Sequence, residues 1–244
     1  MFAPSPNVGR KNGRAFTVLE LLAAVGILLV LAALLIPVGK RILEGAEGTR
    51  CAGNLRQLGA SFHTAAGENN GLVKFQSYTK KANSTKRFNN YLIEGGYLDK
   101  NNKIAFCPSL SVVNGVRASG DGGYVYGGII IADPDDPYSR FIDDIDTDGN
   151  DMVGKSRAIR LNTIERPAEY WLLTDSWSIP NNHQLYYINK DAAAPQRMHL
   201  RHNGKANMLF ADGHVSAVDL SQTAKFPINP LKNAFDLKRQ PVSE

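Results

Sequence analysis

The stretch GRAFTVLELLAAVGILLVLAALLIP, residues 13–37, decides how this chain is read. A short basic leader is set against an apolar run, and one carboxylate, Glu20, sits just inside that run. Phe16 to Val38 is 23 residues without another charge. As a helix rising ~1.5 Å per residue, the run spans about 35 Å, enough to cross a hydrocarbon core of roughly 30 Å. An acid near the end of such a segment is costly. Glu20 is either tolerated at the headgroup level of a signal anchor or kept there for a task.

The residues resemble the N-terminal signature of type IV pilins and of the pseudopilins of type II secretion systems. In that family a prepilin peptidase cuts between a small residue and Phe, the new amine is methylated, and the fifth mature residue is Glu. The matching cut here is Ala15/Phe16, which makes Glu20 fifth and places Pro37 where family members often carry a helix-bending proline. Ala15 stands where the family more commonly has Gly. An ordinary secretory leader is cut after its apolar core, whereas this cut retains it.

The resemblance implies a chemistry for each of these residues. A mature amine at Phe16 is a positive charge at the membrane edge, and Glu20 of a neighbouring subunit neutralises it. Either charge buried alone would cost several kcal/mol, so the pair sets subunit register. Pro37 removes an intrahelical donor and loosens the helix at the membrane exit. Arg10, Lys11 and Arg14 precede the span, and Lys40, Arg41 and Arg50 follow it, so charge alone orients the chain weakly. The resemblance places it in a bacterial inner membrane as a single pass, with a cytoplasmic leader and a periplasmic head.

The 244 residues carry a net charge of +5, three units of it in the leader. The remainder is close to neutral, and nothing calls for a nucleic-acid partner. Beyond Pro37 the helix is expected to continue to about Gly67. Cys51, Leu55, Leu58 and Phe62 form one apolar stripe that should dock on a head, with Arg50, Arg56 and Gln57 nearer solvent. Gly45, Gly48, Gly53, Gly59 and Gly67 weaken that helix, and a break near Gly45 to Gly53 is the competing expectation. Asn69–Arg87 reads as polar loop and Phe88–Leu98 as a short helix or turn. Strands are expected at Lys103–Phe106, Tyr124–Ile131, Tyr170–Thr174 and Gln184–Ile188. Asn203-Gly204 and Asp212-Gly213 then punctuate a three-stranded antiparallel meander, and residues 221–244 read as an irregular tail.

That meander carries a second resemblance. His202, nine intervening residues, then Asp212-Gly213 match the H-x9-DG pattern of a large class of prepilin-type proteins. Members also show a Cys before an NLRQLG-like run and a later CPS, here Cys51 with Asn54–Gly59 and Cys107-Pro108-Ser109. His199, His202, His214 and Asp212 would lie on neighbouring strands of that meander and could approach a metal. However, His199 and His202 are three apart and point to opposite faces of a regular strand, which argues against shared zinc. Turn chemistry accounts for Asp212-Gly213, with His202 bonding backbone or a nearby strand.

Cys51 and Cys107 are either disulfide partners closing a loop of about 57 residues, worth roughly 4 kcal/mol, or two buried thiols. Asp144, Asp146 and Asp148 followed by Gly149 fit the start of a calcium loop, with Asn150 and Asp151 as further donors. Lys155 stands where the closing Glu of an EF-hand would be, and a solvated acidic loop is the alternative. Calcium stabilises the head in major pseudopilins of the secretion family, so the resemblance admits Ca2+ here.

The fold expected is α+β: a long N-terminal helix, membrane-spanning in its first half, packed on a head with an antiparallel β-sheet. Its parts are a leader (1–15), the membrane part of the helix (16–38), its periplasmic part (39–67), the head (68–220) and the tail (221–244). The function implied is a structural, non-enzymatic subunit of a pseudopilus or pilus-like filament. Its partners would be other pilin or pseudopilin subunits, prepilin peptidase, the inner-membrane assembly machinery and the bilayer. Two alternatives stand beside it. One is a pilin-anchored ligand-binding module, exposing aromatics from among Tyr124, Tyr126, Trp171, Trp177, Tyr186 and Tyr187. The other is an anchored metal-dependent hydrolase using the histidines.

Overall fold

The computed structural model describes residues 17–79, 84–110, 112–113, 116–117, 126–129, 136–144, 154–179, 183–189, 195–228, 230–231, 233–236 and 240–243. In chain order these form α1 (Val18–Glu68), β1 (Leu72–Thr79), β2 (Ser84–Arg87), α2 (Phe88–Glu94), β3 (Val112–Val113), β4 (Val116–Arg117) and β5 (Gly127–Ile129). There follow β6 (Ser139–Asp144), β7 (Gly154–Arg160), β8 (Trp171–Thr174), β9 (Ser176–Ser178), β10 (Tyr187–Ile188) and β11 (Gln196–His199). The last elements are β12 (Ala206–Phe210), β13 (Val215–Val218), α3 (Leu220–Thr223), β14 (Asn233–Phe235) and β15 (Pro241–Ser243). The class is α+β, and the chain divides into two units, Met1–Leu43 and Glu44–Glu244.

In the first unit α1 starts on a reciprocal cap. Thr17 Oγ1 accepts from the Glu20 N–H at 3.2 Å, and Glu20 Oε2 accepts from the Thr17 N–H and hydroxyl, both at 2.9 Å. This T-x-x-E box satisfies donors that a helix start leaves open. Val18–Ile36 is long and apolar enough to cross a membrane, and none of it is buried.

In the second unit α1 continues unbroken to Glu68, as expected, and the competing break near Gly45–Gly53 does not occur. The apolar stripe is buried as its spacing predicts: Cys51, Leu55, Leu58 and Phe62 are each 0% exposed. They share a core with Val73, Phe75, Phe88, Tyr126, Tyr170, Leu173 and Leu209. At roughly 1.5–3 kcal/mol per fully buried large apolar side chain, the stripe outweighs the helix propensity that its glycines lose.

Two of those glycines have a use. A Cβ on Gly59 would lie 2.9 Å from Leu209 Cδ1 and 3.6 Å from Gly213, and one on Gly48 would lie 3.4 Å from the His202 ring. The bare helix face therefore lets the segment between His202 and Gly213 run close beside it. Gly213 has φ of +89°, a left-handed conformation that side chains resist, and its own Cβ position is 3.3 Å from His63 Nε2.

The strands form four sheets, ordered β2-β1-β7-β6, β10-β5-β8-β12-β13, β15-β14-β11-β9 and β3-β4. Pairing is antiparallel apart from β5–β10 and β11–β14. β12 is buried on both faces: Leu209 packs toward α1, while Met208 and Phe210 join a second core with Trp171, Met198, Leu231 and Ala234.

Several sequence expectations are corrected here. Asn69–Arg87 is not a loop, because β1 and β2 occupy it. Val73 and Phe75 alternate inward along β1, a period-two signal hidden by the polar residues between and after them. Lys103–Phe106 is not a strand. There the Ala105 N–H donates to Asn102 Oδ1 at 3.3 Å, Phe106 O accepts from Asn54 Nδ2 at 3.1 Å, and a single backbone bond, from the Tyr126 N–H to Ala105 O at 3.0 Å, stands in place of a ladder. Within 184–188 only Tyr187–Ile188 is strand.

The three-stranded meander is also corrected. β12 and β13 pair as expected, but β11 pairs with β9 and β14, and β12's second neighbour is β8. The Asn203-Gly204 turn closes only the His202–Lys205 bridge and then passes the chain from one sheet to the other. The tail is not wholly irregular: α3, β14 and β15 lie in it, with Ala234 and Phe235 fully buried along β11.

Truncating the stripe with Leu58→Ala should destabilise the second unit by about 2–5 kcal/mol in denaturant titration. Gly213→Ala should cost about 1–2 kcal/mol through its left-handed backbone. Gly204→Ala has no neighbour within 4 Å of its Cβ position, so it serves as a control carrying positive-φ strain alone.

Candidate functional site

Two sheet changes create the candidate site. The chain leaves β8 and enters β9 at Asp175, and it leaves β11 and enters β12 across Arg201 and His202. Backbone bonds stitch the two corners together: the His199 N–H donates to Asp175 O at 2.9 Å, and the Asp175 N–H to Asn207 O at 3.2 Å. Helix α1 supplies Cys51, and the segment after Phe106 supplies Cys107. Four groups thus converge: the thiols of Cys51 and Cys107, the Asp175 carboxylate and the His202 imidazole, each with one donor atom within 4.8 Å of all the others.

The carboxylate is the centre. Asp175 is fully buried, and its Oδ2 accepts from the Asn207 N–H at 2.9 Å and lies 3.2 Å from His202 Nε2. Its Oδ1 is 3.6 Å from Arg201 Nη1 and 3.4 Å from Cys51 Sγ. Burial alone would raise its pKa, but the cations of Arg201 and His202 and the Asn207 amide bring it down to about 2. For His202, burial works against the charged form, while the bond to Asp175 and the nearby Cys107 raise its pKa to about 9.

The thiols differ from each other. Burial, together with Cys107 and Asp175, pushes Cys51 well up. Burial also raises Cys107, but the Cys51 hydrogen bond, His202 and Arg201 bring it down to about 6. The pocket therefore stabilises negative charge at Asp175 and Cys107, with positive charge at His202 and Arg201.

A surrounding layer fixes these groups. Tyr126 donates its hydroxyl to Cys51 Sγ at 3.2 Å, and Ser109 Oγ lies 2.9 Å from Cys107 Sγ. Gln184 clamps the Cys107 backbone: its Oε1 accepts from the N–H at 3.2 Å and its Nε2 donates to the carbonyl at 2.9 Å. Asn207 Nδ2 donates to Gly48 O at 3.0 Å, which ties α1 to the same corner. Arg201 is held by His199 Nδ1 at 2.9 Å and by Ser176 O.

Of the residues singled out in the sequence, Cys51, Cys107 and His202 meet here. The two cysteines are neighbours, present as buried free thiols. The His202 ring is directed at Asp175 and Cys107, which corrects the expectation that it bonds backbone or a nearby strand. Asp212 and Gly213 lie at the other end of β12. There Asp212 Oδ1 accepts from the His214 N–H at 3.0 Å and lies 2.6 Å from His214 Nδ1, the expected turn chemistry. His199 contacts Asp236 O and Arg201, so His199, His202 and His214 do not gather.

Glu20 lies exposed in the cap of α1, and Pro37 lies within the same helix. Ala15 and Phe16 lie outside the described residues, as do Asp146, Asp148, Asn150 and Asp151 of the calcium loop; Asp144 ends β6. Among the aromatics proposed for a binding surface, Tyr126, Trp171 and Trp177 are buried and Tyr124 lies outside the described residues.

Asp175 is the residue of this cluster that the sequence pattern does not single out. It follows an apolar strand in TDSW and carries no motif, and only the fold brings it to the cysteines. No protein-family model, curated protein or solved structure matches the chain.

Asp175→Ala should destabilise the second unit by about 3–5 kcal/mol in denaturant titration, because it strands the buried Arg201 and His202 cations. Tyr126→Phe keeps the ring and loses only a hydroxyl, and should cost about 1 kcal/mol.

Proposed function

We propose that this chain is a structural subunit of a pilin-like filament, a type II secretion pseudopilus or a related assembly, anchored and assembled through α1. The observation that carries this reading is the bare apolar surface of Val18–Ile36. Val18, Leu19, Leu22, Leu28 and Leu35 are each more than 60% exposed, and together with their apolar neighbours they exceed the apolar patch that a soluble monomer tolerates. A surface of that kind needs lipid, neighbouring helices, or each in turn, and a filament subunit meets both.

The order of residues around it supports a retained span. The basic leader ends at Ala15/Phe16, before the apolar run, so processing there keeps the anchor. The Thr17–Glu20 box adds a second role for Glu20. Its carboxylate caps its own helix through Oε2 and, in this proposal, also meets the Phe16 amine of a neighbouring subunit. The local donors offset part of the cost of holding an acid at that depth.

The test is co-expression with a prepilin peptidase, followed by intact-mass and N-terminal mapping and by crosslinking of the membrane-bound protein. A chain starting at N-methyl-Phe16 with the apolar run intact is the expected product. An uncut chain, or one cut beyond Pro37, would reduce α1 to an ordinary anchor or a signal sequence. Glu20→Ala should leave membrane insertion intact and lower recovery in crosslinked oligomers at least tenfold, whereas normal incorporation would defeat the charge-pairing role.

A further inference from the structure

We infer that Cys51, Cys107, Asp175 and His202 form a tetrahedral site for a zinc-class divalent metal ion, a centre that locks α1 to both sheet corners of the second unit. This goes beyond the filament reading and stands whether or not that reading holds.

Donor spacing is the first argument. Ligands held tetrahedrally at ~2.0–2.3 Å from a metal lie about 3.3–3.8 Å from one another. With Asp175 Oδ2 as the carboxylate donor, Cys51 Sγ lies 3.7 Å from it and His202 Nε2 3.2 Å, while Cys107 Sγ is 3.3 Å from His202 Nε2. All four donors fall within 4.8 Å of one another. Three of the donor pairs are thus at or close to the edge length of one coordination shell.

The donor types are the second argument. Two thiolates, one imidazole and one carboxylate suit zinc and its tetrahedral relatives, and they do not suit calcium or magnesium. The outer layer is of the kind such centres use. Tyr126 and Ser109 offer hydroxyls to the two sulfurs, and the Asn207 N–H holds the carboxylate.

Arg201 completes the charge balance. Its side chain is 2% exposed, and its buried Nη1 points at Asp175 without a hydrogen-bond partner among the described residues. Binding of a divalent ion displaces the protons of His202 and of the thiols; with two thiolates, one carboxylate and the resulting neutral imidazole it carries one net negative charge, which the Arg201 cation cancels. Four protein donors fill the shell and leave no position for a reacting water, so the centre is structural and not hydrolytic. The ligands come from α1, the segment after Phe106, the β8–β9 corner and the β11–β12 corner, so one ion staples four separate stretches of chain.

The experiment uses the full chain, purified in detergent without chelator under air-free conditions. Elemental analysis should find close to one zinc per chain. Exchange into cobalt(II) should give the intense visible bands of a tetrahedral ion, with thiolate-to-cobalt charge transfer. Cys107→Ser and His202→Gln should each lower cobalt uptake at least tenfold at equal protein concentration. X-ray absorption of the wild-type zinc protein, with two sulfur and two nitrogen or oxygen neighbours, provides the same test should either variant fail to fold. Three results would overturn the proposal: a Cys51–Cys107 disulfide in the isolated protein, free thiols that take up neither metal, or a cobalt spectrum that Cys107→Ser leaves unchanged.

Discussion

A carboxylate held away from water organises the second unit. Asp175 sits where β8 gives way to β9, and an ionised group at full burial persists only if its surroundings supply compensating charge and donors. Those come from the opposite corner, where Arg201, His202 and the Asn207 amide all face it. The compensating groups are brought to it where the two sheets exchange strands, beside the Asn203-Gly204 turn that closes the His202–Lys205 bridge.

Helix α1 is drawn to this corner by packing and by polar bonds. Leu55, Leu58 and Phe62 supply apolar area, while Asn207 reaches Gly48 O and Asn54 reaches Phe106 O. The motif residues scattered along the chain thereby acquire a common setting. Cys51, Asn54, Leu55, Leu58 and Gly59 form one helix face. Cys107 and His202 meet at one end of the adjoining strand β12, and Gly213 closes the other end. In this chain His202 and Asp212-Gly213 bracket a strand packed against α1, with the Asp175 contact at its start and a glycine turn at its finish.

The first unit follows a different constraint. Its residues Val18–Ile36 carry almost nothing but aliphatic surface, and among the described residues the Thr17–Glu20 box supplies the polar contacts at the start of α1. The proposed filament role uses that surface twice, against lipid and then against neighbouring helices. The proposed metal centre lies further along the same helix, at Cys51, and would join α1 to the two sheet corners of the second unit. The two proposals rest on different residues and stand or fall separately.

The sequence by itself determined what depends on local pattern. The apolar run, the long helix, the Cys51–Phe62 stripe, the β12–β13 hairpin and the Asp212-Gly213 turn were legible because periodicity and turn chemistry act over a few residues. The β1 strand was legible in principle, through the alternation of Val73 and Phe75, but polar neighbours masked it. Strand partners were not legible: nothing in RMHLRH says that β11 leaves β12 for β9 and β14. Nor does anything in TDSW say that Asp175 will meet Cys51, 124 residues away. Tertiary structure alone decided those, because the free energy of a buried charge depends on which groups surround it, and only the folded chain brings those groups together.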